Sequence, residues 1–138
     1  MERQHLITLI TDHYDTFWHG DLDDFDTQLS PSFVDDSAPE GTPPGPEPVK
    51  AFARMARAGC SDMQVTIEQA VVEGDVVAVR ARWQGTHDGV FMGHPPTGQR
   101  LDFEGMVFWR IDADGRIAHR RAILDSATMA RQLTTVPA

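Results

Sequence analysis

Gly85-Thr86-His87-Asp88-Gly89-Val90-Phe91-Met92-Gly93-His94-Pro95-Pro96-Thr97-Gly98 is the stretch that decides the fold. It packs four glycines, two prolines and two histidines between two apolar, strand-like segments. A connection so rich in permissive and fixed backbone positions holds one shape. On both sides of it the hydrophobic period is two. Residues 63–72, 75–86, 100–111 and 116–124 alternate and predict four strands. Gly74-Asp75 and Asp114-Gly115 supply the tight turns between paired runs, the second being the expected type I′ dipeptide.

Towards the N-terminus the period becomes helical. Over residues 2–18, Leu6, Ile10, Tyr14 and Phe17 recur on one face with Leu9 and His13 alongside, and Gly20 ends the helix. Asp21 caps a second predicted helix that carries Leu22, Phe25 and Leu29 inward and stops at Pro31. The proline-rich stretch from Ser37 to Pro48 is a loop. A third helix over 47–59 bears Val49, Phe52, Met55 and Ala56, and a short one over 126–133 closes the chain. Three helices followed by an antiparallel sheet make an α+β fold.

The bulk numbers bound the function. A chain of 138 residues is one domain, residues 1–138, large enough to bury a core unaided. The single Cys60 excludes an internal disulfide and offers no metal cluster. No H-E-x-x-H spacing is present, so no metal is expected, and no Gly-rich phosphate loop or other cofactor motif is present. A formal net charge of −9 argues against a nucleic-acid partner. Early charges at Glu2, Arg3, Asp12 and Asp15 argue against a signal peptide, and no apolar run is long enough for a membrane span, so a cytoplasmic protein is expected.

Several motifs in order carry a resemblance. The Gly85-Thr86-His87 loop with its Pro96-Thr97-Gly98 exit resembles the signature of the SnoaL-like polyketide cyclases, also called ester cyclases, within the NTF2-like (cystatin-like) superfamily. Gly20-Asp21-Leu22-Asp23, Ser32-Phe33-Val34-Asp35, Gly115-Arg116-Ile117, Asp125 and Arg131-Gln132-Leu133 are similar to further motifs of that family. The resemblance implies a cone: three N-terminal helices packed on a strongly curved, mostly antiparallel sheet around an internal pocket. It also implies homodimers paired through the outer sheet face.

Strand alternation sorts the candidate residues. Val77, Val79, Ala81 and Trp83 share one face of their strand, opposite Arg80, Arg82 and Gln84. Phe103, Gly105, Val107 and Trp109 share another. The last strand is ambiguous by periodicity. His119, Arg121, Ile123 and Asp125 form one face, and Ala118, Arg120, Ala122 and Leu124 the other. The resemblance places the aspartate inside and so selects the first set. Arg120 is then counted with the outer face.

On this reading Asp125 ends an apolar strand as a desolvated acid/base, and the alternative is an N-cap of the terminal helix. The resemblance implies that such an aspartate removes a proton alpha to a carbonyl in an intramolecular aldol cyclisation. His87 is either a hydrogen-bond donor or proton shuttle, or a loop histidine bonded to backbone. Tyr14, Phe17, Trp83, Val107, Trp109, Arg121 and Ile123 are expected around an apolar cavity suited to a small hydrophobic or aromatic molecule. Two departures from the family pattern stand out. Asp36 and Val107 occupy positions where many members carry histidine. The function expected is a cofactor-free cyclase or isomerase acting on a hydrophobic carbonyl compound. The alternatives are a binding protein of the same fold and an epoxide-hydrolase-like enzyme. Arg100-x-Asp102 fits the last, but Ala122 stands where its second carboxylate would be.

Overall fold

A computed structural model describes residues 2–135. The first helix, α1 (Arg3–Trp18), buries Leu6, Ile10, His13 and Tyr14 from one face, as the period requires. The carbonyls in its last turn have no intrahelical partners. Arg57 supplies them, donating to Thr16, to Phe17 at 2.7 Å and to Gly20 at 2.9 Å.

Three helices precede the long strands, as expected, but the second is shorter than its spacing indicates and a short strand follows it. A 3-10 turn, Leu22–Asp24, is capped by Asp21, whose carboxylate accepts from the Asp23 N–H at 2.9 Å. It runs into α2 (Phe25–Gln28), a single turn, and the chain is then extended as β1 (Leu29–Asp35). Phe25 and Leu29 are both buried, as the helical spacing demands. Pro31, however, disfavours a helical Ser30, so the helix ends sooner and the backbone feeds a strand. The full-length helix α3 (Pro46–Gly59) follows the proline-rich loop, with proline in its first turn. Its Lys50 is only 3% exposed and is held by Asp26 at 2.9 Å, Glu47 at 3.0 Å and Asp23 at 3.2 Å. A buried ammonium with three carboxylates ties α3 to the short turns.

The remaining strands are β2 (Gln64–Glu73), β3 (Val76–Thr86), β4 (Arg100–Ile111) and β5 (Ile117–Leu124). They form one five-stranded sheet in the order β1-β5-β4-β3-β2. The β1–β5 pair is parallel and the others antiparallel. Val77, Val79, Ala81 and Trp83 of β3 and Leu101, Phe103, Val107, Trp109 and Ile111 of β4 are buried against the helices, as their alternation predicts.

The last strand differs from the expectation. Ile117 pairs with Ile111, and both are buried on the inner face. His119, however, pairs with Arg110, which leaves Ala118 as one extra residue and makes a bulge. An extra residue inverts the parity of everything after it. Directly paired residues share a face, so Arg120 opposite Trp109, Ala122 opposite Val107 and Leu124 opposite Gly105 point inward. Arg121, Ile123 and Asp125 point outward, with Ile123 75% exposed.

The 85–98 connection is pinned to the end of α3. Asp62 accepts from the Thr86 N–H at 2.7 Å and its hydroxyl at 2.9 Å. The Asp88 and Gly89 N–H groups both donate to the Gly59 carbonyl at 3.1 Å. The terminal helix α4 (Ser126–Thr134) is fastened differently. The Gln132 amide accepts from the N–H of Asp102 and donates to its carbonyl, each at 2.8 Å, extending β4 as another strand would. No helix among the described residues is long and apolar enough to cross a membrane.

Candidate functional site

Trp109 is the common neighbour of an aromatic and polar cluster inside the sheet. His13 lies with its ring 4.6 Å from the indole, centroid to centroid, and Tyr14 at 5.9 Å. Tyr14 also meets Trp83 edge-on at 5.9 Å, and Trp83 stacks on Phe103 at 5.6 Å. Val107 is fully buried one pleat away on the same face of β4. Phe17 is half-buried at the edge of the cluster, against Trp18 at 5.1 Å and Phe52 at 5.9 Å.

Three buried polar atoms in this cluster have no hydrogen-bond partner: His13 Nδ1, Tyr14 Oη and Trp109 Nε1. A buried polar group costs free energy until something pairs with it. Burial, and then the nearby Arg120 charge, hold the His13 pKa down at about 3, so its ring is neutral. Burial pushes the Tyr14 phenol up to about 12, against the pull of Arg120 and the nearby Trp109, so it stays an O–H donor. The Trp109 N–H approaches this hydroxyl without meeting hydrogen-bond geometry.

Arg120 completes the cluster from β5. Its guanidinium carbon lies 5.4 Å from the Trp109 ring centroid, and Nη1 donates to Asp35 Oδ2 at 2.8 Å. Asp35 faces inward because it is the register partner of Arg120 in the parallel β1–β5 pair, and its other oxygen accepts from the Ser37 N–H at 2.8 Å. Both side chains are half-buried, as are Ala122 and Leu124 further along β5. His13, Tyr14, Trp83 and Trp109 are each 7% exposed or less, so they fill this part of the cone rather than lining the open cavity expected there.

A family model for SnoaL-like polyketide cyclases matches residues 8–133. The chain belongs to that family. Solved structures agree in fold with this SnoaL-like chain. TsrD from Streptomyces laurentii superposes with a TM-score of 0.87 at 24% identity, covering 97% of this chain and 98% of its own. A candidate SnoaL-like polyketide cyclase from Jannaschia sp. CCS1 gives 0.83 at 26% identity, covering 99% of each. The candidate polyketide cyclase IdmH from Streptomyces antibioticus gives 0.78 at 31% identity, covering 94% of this chain and 99% of its own. No curated protein matches.

Of the residues singled out in this SnoaL-like sequence, Tyr14, Trp83, Val107 and Trp109 come together, with Phe17 at their edge. Four others do not join them. Arg121 and Ile123 line an open groove of about 850 Å³ on the opposite face of the sheet, beside Met106 and Phe108. Asp125 is exposed at the end of that groove and is the N-cap of α4. Its carboxylate accepts from the Thr128 N–H at 3.1 Å and the Thr128 hydroxyl at 2.7 Å. Those bonds hold its pKa below the ordinary carboxylate range, the reverse of the expected desolvated acid. His87 is fully buried within its own loop, with Nδ1 3.0 Å from Thr97 Oγ1 and Nε2 3.2 Å from the His94 carbonyl. Both ring nitrogens are spent on holding the connection.

Sequence reasoning missed Arg120 and Asp35. Asp35 was readable, because it sits two residues from Phe33, which is buried at 2% exposure. Arg120 was missed because periodicity left both faces of β5 open and the resemblance, placing Asp125 inside, assigned Arg120 to the outer face.

Proposed function

We propose that this chain is a cofactor-free enzyme that transfers protons on a hydrophobic carbonyl compound held inside the cone. The observation that supports the reading is the set of three unpartnered buried polar atoms, on His13, Tyr14 and Trp109, set in an otherwise apolar wall. The ligand carbonyl oxygen accepts from the Tyr14 O–H and the Trp109 N–H. Asp35 takes the proton from the carbon alpha to that carbonyl, and the C–H electron pair passes into the carbonyl as an enolate. The enolate carbon then bonds to a second carbonyl carbon of the same molecule, whose oxygen receives the proton from Asp35. Substrate and product are isomers, so atoms and charge balance. Asp125, expected as the acid/base, is reassigned to capping, since it faces the opposite side of the sheet.

Exchange of alpha protons in 2-tetralone dissolved in deuterated buffer, followed by NMR, tests this. Wild-type protein should accelerate exchange. Tyr14→Phe and Asp35→Asn should each reduce the acceleration ~10²–10⁴-fold, the usual worth of an oxyanion donor or an acid/base group. Asp125→Asn should leave it unchanged, because Asn caps a helix about as well as Asp. The site assignment is lost if Asp125→Asn abolishes exchange while Asp35→Asn keeps it.

A second reading is a binding protein without catalysis. Both Asp35 oxygens are already engaged, and the neighbouring inward positions of β5 are Ala122 and Leu124. Binding of 2-tetralone with no accelerated exchange would select this reading.

We further propose a homodimer paired through the outer sheet face. Met106, Phe108 and Ile123 are more than half exposed there, amid Arg80, Glu104 and Arg121, the mixed composition of a non-obligate interface. Sedimentation should show a dimer at micromolar protein, and Ile123→Arg should give a folded monomer. A wild-type monomer under those conditions would overturn the proposal.

A further inference from the structure

The charges on the outer sheet face are ordered along the strands. Directly paired residues share a face, so the layout follows from the register. Along β4 the outward side chains are Glu104, Met106, Phe108 and Arg110, all exposed. Ile123 stands beside Met106, Arg121 beside Phe108 and His119 beside Arg110. Asp125 stands beside Glu104, whose carbonyl accepts from the Asp125 N–H at 2.9 Å. On the other side of β4, Ala78 is beside Phe108 and Val71 beside Ala78, which carries the apolar middle across to β2. The face thus has an acidic end at Glu104 and Asp125, an apolar waist, and a basic end at Arg110, Arg121 and His119. Arg80 and Arg82 also lie towards the acidic end, but each is matched within its own chain, to Glu68 at 2.8 Å and to Asp102 at 2.7 Å. At the basic end Asp36 takes up only His119, at 2.6 Å. Among the described residues, Arg110 and Arg121 have no ion-pair partner.

Two copies that meet through the same face are related by a two-fold axis lying between them, and every contact is made twice. An axis parallel to the strands keeps equivalent ends level, bringing Arg110 towards Arg110 and Glu104 towards Glu104. Like charges set together cost affinity. An axis across the strands exchanges the ends. Val107 lies midway between Glu104 and Arg110 on β4, so an axis level with it sets Glu104 of one copy opposite Arg110 of the other. By the same operation Asp125 meets His119, Met106 meets Phe108, and Arg121 meets Ile123 next to Asp125. Sheets packed face to face keep their strands within about 30° of one another, so the ends stay matched. We infer that two copies of this chain pair antiparallel about such an axis, the acidic end of each against the basic end of the other. The inference rests on the proposed homodimer and deepens it by fixing its register. Waist on waist, the pair covers the open groove of about 850 Å³ and gives Arg110 and Arg121 the carboxylates they lack in a single chain.

A charge exchange tests the register. Arg110→Glu and Glu104→Arg are studied singly, mixed in equal amounts, and combined in one chain, by sedimentation at low ionic strength, where exposed charges act most strongly. Both side chains are exposed, so the fold should survive, and circular dichroism checks that it does. Each single variant would place two like-charged pairs in its own homodimer, and its self-association should weaken at least ~10²-fold. In the mixture every pair again unites an acid with a base, so dimer should return. Native mass spectrometry with one variant isotopically labelled should show that the returning dimer contains one copy of each. The chain carrying both substitutions should dimerise by itself. Single variants as dimeric as wild type would overturn the antiparallel register and leave a dimer in some other register standing. So would a mixture and a combined variant that both remain monomeric while wild type is dimeric. A monomeric wild type under the same conditions would overturn the register and the dimer together.

Discussion

Gly89→Ala is expected to lower the stability of the protein by about 3 kcal/mol or more, near the upper end of what overpacking a rigid site costs. The reason is close approach. A Cβ on Gly89 would stand 1.9 Å from the Ala58 carbonyl oxygen and 3.0 Å from its carbon. Both are backbone atoms in the last turn of α3, so neither can swing aside as a side chain would. Gly89 also donates its N–H to the Gly59 carbonyl at 3.1 Å, so retreat breaks a bond that its neighbour Asp88 shares. Gly93 provides the contrast. Nothing lies within 4 Å of its would-be Cβ, but its φ is +80°. Gly93→Ala should therefore cost only about 1 kcal/mol, the strain of a left-handed alanine. Urea unfolding of both variants measures the difference. A Gly89→Ala loss under about 1 kcal/mol, at the low edge of overpacking costs, would mean that the loop is not clamped to α3 as described.

That clamp explains why the 85–98 stretch was so informative. Its glycines and prolines are demanded by a single packed geometry, and sequence reports such demands directly. The strands around it were legible for a related reason. Their inner and outer faces meet different surroundings, so alternation is written into β3 and β4 without interruption. Where the chain departs from regular geometry, the pattern misleads. Pro31 ends a helix earlier than the spacing of Leu22, Phe25 and Leu29 indicates, because its constraint falls on Ser30.

The bulge at Ala118 had the larger consequence for function. It inverts β5, exchanging Arg121, Ile123 and Asp125 for Arg120, Ala122 and Leu124 on the inner face. An arginine opposite a tryptophan carries no sequence mark of being inside. Its burial depends on Asp35, a partner 85 residues away in sequence. The aromatic half of the site was readable because aromatic residues at strand and helix spacing belong to the core in any case. The charged half was not, because alternation left both faces of β5 open and the resemblance, placing Asp125 inside, selected the face that the bulge turns outward.

The buried imidazole gives the protein an acid sensitivity that can be worked out in sign and size. His13 binds its proton with a pKa of about 3 in the folded chain and about 6.5 in the unfolded one. Between those values the unfolded state carries the extra proton, so stability falls as pH falls. Above about 6.5 neither state is protonated and His13 adds no slope. Below about 3 both are protonated, and its contribution is flat again. Across the window the slope is about 1.4 kcal/mol per pH unit, so lowering the pH from about 6.5 to about 4.5 should cost on the order of 3 kcal/mol. Carboxylates held below their usual range, such as Asp62 and Asp102, add their own losses at lower pH as folded-state protonation sets in. The upper part of the window therefore isolates the histidine. His13→Leu, close in volume and with no proton to bind, should remove this slope and remain folded at pH 7. The difference between wild type and variant is the quantity to measure, by urea unfolding at closely spaced pH values. Parallel curves over the window would mean that His13 is already protonated in the fold or reaches water there. In the first case it could not serve as the neutral partner of a ligand beside Trp109.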